Sequence, residues 1–235
     1  MTRSPHAAPD ELRIGGWEPL SLVDWPGQLA AVLFLQGCGW RCRYCHNPDL
    51  IPRRTPARIP WEQVEAFLAQ REGLLDGVVF SGGEPLLQSG ALATAIDEVR
   101  ARGFRIGLHT GGPHPRLLHD LLPGLDWVGL DVKAPWDRYG RVAGRDQGAR
   151  TRESLARLVD SGVRYEVRTT WHPSLLSPGD LQVIARQLEE AGVRHWVLQR
   201  FQPHGCRDPA LCAEPVGSPP LEVLTASGLS VEVRG

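Results

Sequence analysis

The sequence has 235 residues, with 26 basic and 27 acidic side chains and a net charge of -1. A chain of this length can bury a substantial core, and its near-neutral charge argues against a protein that mainly binds nucleic acid. Among the basic residues, 25 are Arg and only Lys133 is Lys. Overall composition explains most of the Arg, as solvated surface residues, but it leaves the single Lys to be explained.

No apolar run reaches the ~18 residues of a membrane helix. Residues 1–11 also lack the apolar core of a secretion signal. We therefore expect a cytoplasmic protein without a membrane partner, in which thiols stay reduced. The five cysteines then need an explanation other than disulfides.

Short apolar runs alternate with longer amphipathic segments along the chain. The apolar runs predict strands over residues 29–35, 77–80, 104–109, 127–131, 164–169 and 196–199. Helical spacing predicts helices over 61–71, 89–102, 115–122, 151–161 and 178–191. This alternation predicts an α/β fold with parallel strands and right-handed crossovers. We expect one domain over residues 1–235, with a loop at 36–50 and an irregular segment at 202–228.

Unusual residues follow the first four predicted strands. They occupy residues 36–46, 81–85, 109–112 and 131–135. Because chemistry in parallel α/β folds collects at the carboxyl ends of the strands, these segments predict one shared site.

Cys38, Cys42 and Cys45 form a C-x3-C-x2-C pattern within eight residues. Three thiolates without a nearby fourth suit a four-iron cluster in which one iron lacks a protein ligand. A structural zinc site would need a fourth ligand, which Cys206, Cys212 or His204 could provide from far downstream. A zinc-stabilised binding module without turnover therefore remains an alternative.

This cysteine loop resembles that of the radical S-adenosylmethionine (SAM) enzymes, in which an aromatic residue precedes the third Cys, as Tyr44 does here. The resemblance implies an oxidoreductase with a partial (β/α)6 barrel and a 4Fe-4S cluster bound by Cys38, Cys42 and Cys45. It also implies that SAM chelates the open iron and that Tyr44 contacts its adenine.

Residues 81–85, Ser-Gly-Gly-Glu-Pro, match the GGEP motif of the same enzymes. The resemblance implies that Gly82, Gly83 and Glu84 bind the methionine amino group. Glycines permit close backbone approach, and a carboxylate suits an ammonium.

The wider sequence is similar to the activating enzymes of glycyl radical enzymes, in particular to those of anaerobic ribonucleoside-triphosphate reductase. The similar segments are 16–50, 81–88, 130–135, 168–170 and 198–201. The resemblance implies reductive cleavage of SAM to a 5'-deoxyadenosyl radical, which removes a hydrogen from a glycine of a partner reductase. It further implies a flavodoxin or ferredoxin type of electron donor, and no side chain is needed as a general acid or base. A radical SAM enzyme that acts on a small molecule or a peptide is the alternative.

Asp131 and Lys133 match the Asp-x-Lys of these activating enzymes, which implies that both lie near SAM. A flexible ammonium can meet a carboxylate where the planar guanidinium of Arg does not fit. A surface position is the simpler alternative for Lys133. Arg168 is a second candidate cation for the cofactor carboxylate, and a structural salt bridge is its alternative.

One segment departs from the family pattern. Where some relatives have Asp followed by Thr-Asn-Gly, this chain has His109-Thr110-Gly111-Gly112. Any contact made by that Asp is in doubt here, and His109 either hydrogen-bonds or only packs. His204, Cys206 and Cys212 are weak signals, and we interpret each as structural or incidental.

Overall fold

The structure, a computed structural model, describes residues 7–224 and 228–235. The strands are β1 (Ile14–Ser21), β2 (Ala30–Leu35), β3 (Gly77–Gly82), β4 (Arg105–Thr110), β5 (Trp127–Asp131), β6 (Arg164–Trp171), β7 (His195–Arg200) and β8 (Ser230–Arg234). The helices are α1 (Trp61–Ala69), α2 (Ser89–Ala101), α3 (Pro115–Leu121), α4 (Tyr139–Ala143), α5 (Gly148–Asp160), α6 (Pro178–Glu190) and α7 (Pro209–Ala213).

Strand order in the sheet follows chain order from β1 to β8. The pairs β2–β3, β3–β4 and β6–β7 are parallel, which confirms the predicted α/β class. The six predicted strands correspond to β2–β7, and the five predicted helices to α1, α2, α3, α5 and α6. The structure adds β1, antiparallel to β2, and β8, parallel to β7.

The chain divides into two compact units. The first contains Met1–Gly39, Asp49–Thr110 and Leu117–Val128, and the second contains Trp40–Pro48, Gly111–Arg116 and Gly129–Gly235. The single domain expected over residues 1–235 stays a prediction.

A pair of tryptophans anchors the core of the first unit. Trp25 is fully buried and stacks on Trp127, with ring centroids 5.8 Å apart. Ala30, Val32 and Val79 complete this cluster. Strand β2 is buried along nearly its whole length, as expected of a parallel strand that is covered on both faces.

In the second unit, the start of α5 differs from the sequence prediction. The helix begins at Gly148, three residues before the predicted start at Thr151. A Cβ on Gly148 would lie 1.9 Å from the Trp136 carbonyl oxygen, so the first turn packs directly against backbone. The Thr151 hydroxyl, inside this helix, donates to the Gly111 carbonyl at 2.9 Å.

The segment 202–228, predicted to be irregular, contains α7. Asp208 caps this short helix, since its carboxylate accepts hydrogen bonds from the backbone N–H groups of Ala210 and Leu211. The Asp208-Pro209 pair is the local sequence signal for this helix start. In the described part of the chain, no helix is both long enough and apolar enough to cross a membrane.

Candidate functional site

Backbone hydrogen bonds hold the start of the cysteine loop in the first unit. The N–H of Gly37 donates to the Leu50 carbonyl at 2.7 Å, and the N–H of Cys38 donates to the Ile51 carbonyl at 3.1 Å. Gln36 is fully buried, and its amide donates to the carbonyls of Asp49 and Pro52. Residues 36–38, at the start of the loop, are therefore held in place by residues 49–52, where the loop ends.

The glycines of the GGEP segment are required by close packing in the first unit. Gly82 has φ +114° and its Cβ would lie 2.2 Å from the Leu35 nitrogen, while a Cβ on Gly83 would lie 2.3 Å from the Gly37 carbonyl oxygen. The Glu84 N–H donates to that same carbonyl at 2.9 Å. The segment thus supports the backbone next to Cys38, and its contact with a methionine amino group stays a prediction.

Glu84 has a structural task that the sequence analysis missed. Its side chain is buried, and Oε1 accepts hydrogen bonds from the Leu86 N–H at 3.2 Å and the Thr110 hydroxyl at 2.6 Å. Glu84 is therefore the N-cap of the 3-10 turn Pro85–Gln88. Its predicted interaction with an ammonium has to coexist with this capping role.

His109 hydrogen-bonds as well as packs, which answers the question left by the sequence. Its Nε2 lies 2.7 Å from the Asp24 carbonyl oxygen, and its Nδ1 lies 3.2 Å from the Ser81 hydroxyl. Because a carbonyl only accepts, Nε2 carries the proton and Nδ1 accepts from Ser81 in the neutral ring. The ring also lies edge-on to Trp127.

The second part of the cysteine loop, residues 40–48, packs on α4 in the second unit. The N–H groups of Arg41 and Arg43 donate to the carbonyls of Ala143 and Val142 at 2.9 and 3.2 Å. The chain then turns, because the Cys45 N–H donates to the Cys42 carbonyl at 3.2 Å. The sequence did not predict α4, so this support was missed.

Burial controls the acidity of two of the predicted ligands. It raises the pKa of Cys42 to about 11, against an opposing effect of the Lys133 ammonium. Burial likewise raises the pKa of Cys45. Both thiols hold their protons at neutral pH, so binding of a metal as thiolates requires loss of those protons.

Lys133 is buried, which excludes the alternative of a surface position for this residue. Only 6% of the residue is exposed, and Nζ lies 3.2 Å from Oδ2 of Asp131. The ammonium is also 5.9 Å from the ring centroids of both Trp40 and Tyr44. Its backbone N–H donates to the Tyr139 hydroxyl at 3.0 Å.

Lys133 nevertheless keeps its charge. Burial alone would lower the pKa of Lys133, but the Asp131 carboxylate raises it, and the net pKa lies well above the usual value. A buried ammonium that remains protonated is suited to hold a second carboxylate.

Asp131 pairs with two cations at once. While Oδ2 faces Lys133, Oδ1 accepts from Nε and Nη2 of Arg168 at 3.1 and 3.0 Å. The salt bridge considered for Arg168 is therefore present, and its contact with a cofactor stays a prediction. We call Asp131, Lys133 and Arg168 the Asp131 trio, which carries a net positive charge.

The wall around Lys133 includes residues that the sequence analysis did not select. A Cβ on Gly111 would lie 2.7 Å from Trp40 Nε1 and 3.1 Å from Lys133 Cε. The Trp40 ring also lies 5.9 Å from the Tyr139 ring. The position of Trp40 inside the cysteine loop could have identified it as a candidate site residue from the sequence. Tyr44 is also buried. Its contact with the adenine of SAM stays a prediction.

Among the described residues, no group of three or more His, Cys, Asp or Glu side chains is placed to hold a metal ion. The second unit contains Cys42 and Cys45, and the first contains Cys38. All three are free cysteines. The spacing and the chemistry of the three cysteines indicate an iron-sulfur cluster, although their side chains are not arranged as a metal site in this structure.

Comparison with known proteins identifies the family and the fold. A model of the radical SAM superfamily matches residues 32–182, more than half of the chain. A solved structure of Streptococcus suis SuiB bound to S-adenosylmethionine superimposes with a TM-score of 0.63 at 11% identity, over 84% of this chain and 48% of SuiB. The chain thus spans about half of SuiB. The family model and this structural match together confirm the predicted fold class, the radical SAM partial (β/α)6 barrel.

Two curated relatives are similar over most of their length. A protein of Methanocaldococcus jannaschii, named as a candidate glycyl-radical enzyme activating enzyme, is 29% identical over 205 residues, 83% of this chain and 82% of the relative. The pyruvate formate-lyase-activating enzyme of Clostridium pasteurianum is 33% identical over 169 residues, 69% of this chain and 70% of the relative.

The donor chemistry fits what the family requires. Three free thiols on one short loop suit an iron-sulfur cluster, and a buried, charged Lys suits the carboxylate of SAM. The chain belongs to the radical SAM superfamily, whose enzymes use a 4Fe-4S cluster and S-adenosylmethionine, and its relatives are glycyl-radical enzyme activating enzymes.

Proposed function

We propose that this enzyme generates a glycyl radical on a partner enzyme, and that the partner is an anaerobic ribonucleoside-triphosphate reductase. Similarity to glycyl-radical activating enzymes over most of the chain supports the reaction class. The choice of the reductase rests on the sequence resemblance across residues 16–50 and the later motifs. A flavodoxin or ferredoxin type of protein would donate the electron.

The observation that carries the proposal is the burial of Lys133 in the unit that contains Cys42 and Cys45. Within the Asp131 trio the two cations, Lys133 and Arg168, are buried, and charge pairs are stronger there than in water. Lys133 would bind the carboxylate of SAM, while Asp131 keeps the ammonium oriented. Trp40 and Tyr44 flank the ammonium and exclude water from it.

Cys38, Cys42 and Cys45 would hold the cluster as thiolates. When bound, the cluster and SAM would supply the electron transfer and the radical chemistry that remove a hydrogen from the glycine of the partner. The chain's own residues would bind and orient SAM. Gly82 and Gly83 would present backbone atoms to the methionine amino group, and Tyr44 would contact the adenine. None of these residues needs to move a proton during the reaction.

Electron paramagnetic resonance tests the proposed partner. Cluster-loaded enzyme, SAM and a reductant would be mixed anaerobically with the anaerobic reductase and, separately, with pyruvate formate-lyase. We expect a glycyl radical signal on the reductase, and none with a Cys38/Cys42/Cys45→Ala triple variant. A signal only on pyruvate formate-lyase would overturn the choice of partner. SAM cleavage without a radical on either protein would instead favour a small-molecule or peptide substrate.

A further inference from the structure

Two cysteines outside the cysteine loop lie next to each other in the second unit. Cys206 and Cys212 lie on either side of Asp208, which caps α7, and both are free thiols. The Cys212 thiol donates to the Cys206 carbonyl oxygen at 3.7 Å, so its sulfur lies against the backbone of Cys206. Five residues separate them in the chain, and a disulfide would require their sulfurs to approach to about 2 Å.

The segment that carries this pair is fastened to residues 40–48 within the second unit. Arg43 Nε lies 2.8 Å from Asp208 Oδ2, and the Cys206 thiol donates to the Arg43 carbonyl at 3.4 Å. Gly205, with φ +79°, passes so close to the loop that a Cβ would lie 2.2 Å from the His46 carbonyl oxygen. Cys206 therefore contacts the backbone between two of the predicted cluster ligands.

Access differs between the two thiols. Cys212 is exposed, whereas Cys206 is half-buried. Cys212 also lines a cavity of about 390 Å³, which is bordered by Arg200, Gln202 and Glu214. A small disulfide that carries carboxylates and ammonium groups, such as glutathione disulfide, has complementary charges and can reach Cys212 first.

We propose that Cys206 and Cys212 are a reversible dithiol–disulfide pair, and that their oxidation by a low-molecular-weight disulfide releases the Arg43 carbonyl of the cysteine loop. The Cys212 thiolate attacks one sulfur of the external disulfide and expels one thiol. The Cys206 thiolate then displaces the second thiol from Cys212. The pair loses two protons and two electrons, and the external disulfide becomes two thiols.

Oxidation has a structural consequence because it removes a donor. Cys206 has no S–H in the disulfide, so its hydrogen bond to the Arg43 carbonyl is lost. The Asp208–Arg43 salt bridge then remains as a polar link from this turn to residues 40–48. The cysteine loop is held less firmly next to Cys42 and Cys45.

Anaerobic redox titration tests the pair. Cluster-loaded enzyme would be equilibrated with glutathione and glutathione disulfide at increasing oxidant ratios, quenched in acid, alkylated, digested and analysed by mass spectrometry. We expect a Cys206–Cys212 cross-link with a mass loss of about 2 Da. The matched variants Cys206→Ser and Cys212→Ser should give only a glutathione adduct on the remaining thiol. The proposal would be overturned if wild-type Cys206 and Cys212 were both alkylated at every ratio of glutathione disulfide to glutathione. It would also be overturned if the wild type gave only glutathione adducts and no cross-link.

Iron release tests the link to the loop. We expect oxidised enzyme to lose iron to a chelator several-fold faster than reduced enzyme. Cys206→Ser keeps a hydroxyl donor and cannot form the disulfide, so its rate should not respond to the oxidant. Equal rates for oxidised and reduced wild type would exclude the link. Glutathione on Cys38, Cys42 or Cys45 would argue against a bound cluster and hence against the proposed function. The proposal that Cys206 and Cys212 form a disulfide would be unaffected by that result.

Discussion

The two units contribute to the candidate site in different ways. In the first, the site residues act through backbone contacts: Gly83 packs on Gly37, and the Glu84 carboxylate caps its own turn. In the second, two buried cations, Lys133 and Arg168, share the partly exposed carboxylate of Asp131. Substitutions in the first unit should therefore act mainly on stability, and those in the second mainly on cofactor binding.

Gly83→Ala should have the largest effect on stability. The added Cβ would lie 2.3 Å from the Gly37 carbonyl oxygen, so backbone has to shift, and we expect a loss of about 1–3 kcal/mol of unfolding free energy. Denaturant unfolding of the cluster-free protein measures this loss of unfolding free energy. Gly16→Ala is the matched control, because no atom lies within 4 Å of its Cβ position. Equal stability of the two variants would contradict the packing account.

Gly111→Ala should affect SAM binding more than stability. Its Cβ would meet Trp40 Nε1 at 2.7 Å and Lys133 Cε at 3.1 Å, so the added methyl group displaces the side chains that surround the ammonium and not backbone. We expect SAM affinity to fall roughly ten-fold, or about 1.4 kcal/mol, as measured by equilibrium binding to the cluster-loaded enzyme. Gly140→Ala, with open space around it, serves as the control. A fall in stability without a fall in SAM affinity would show that Gly111, like Gly83, acts on stability and not on cofactor binding.

Glu84→Gln should separate capping from cofactor binding. The amide oxygen can still accept from Leu86 and Thr110, so unfolding free energy should change by less than about 1 kcal/mol, whereas Glu84→Ala should cost about 1–3 kcal/mol. If Glu84 also binds an ammonium, Glu84→Gln weakens SAM binding at nearly constant stability. Unchanged affinity would limit Glu84 to its capping role.

The sequence predicted the parts of the fold that have a clear period or composition. Strands β2–β7 are apolar runs, and the cysteine pattern has few alternative explanations. Strand β1 was missed because Gly15, Gly16 and Pro19 interrupt its pattern, although Gly15 is needed where its Cβ would meet Leu50. Helix α4 has only five residues, too few to show helical spacing.

Long-range contacts account for the rest of what the sequence did not predict. The hydroxyl that binds Glu84 belongs to Thr110, 26 positions away, and no local pattern links them. The proximity of Cys206 to Arg43 likewise spans 163 positions. Lys133 is an intermediate case: its rarity drew attention to it, but its burial against Asp131 and two aromatic rings required the structure.

SAM affinity of Lys133→Arg tests the central claim most directly. The substitution keeps the charge, but a planar guanidinium is larger than the ammonium that lies 5.9 Å from the Trp40 and Tyr44 rings. Arg157→Lys, on the exposed face of α5, controls for exchange of basic residues. We expect SAM affinity to fall at least ten-fold in Lys133→Arg, with cluster content unchanged. Wild-type affinity and SAM cleavage in that variant would contradict a role for Lys133 in binding the cofactor.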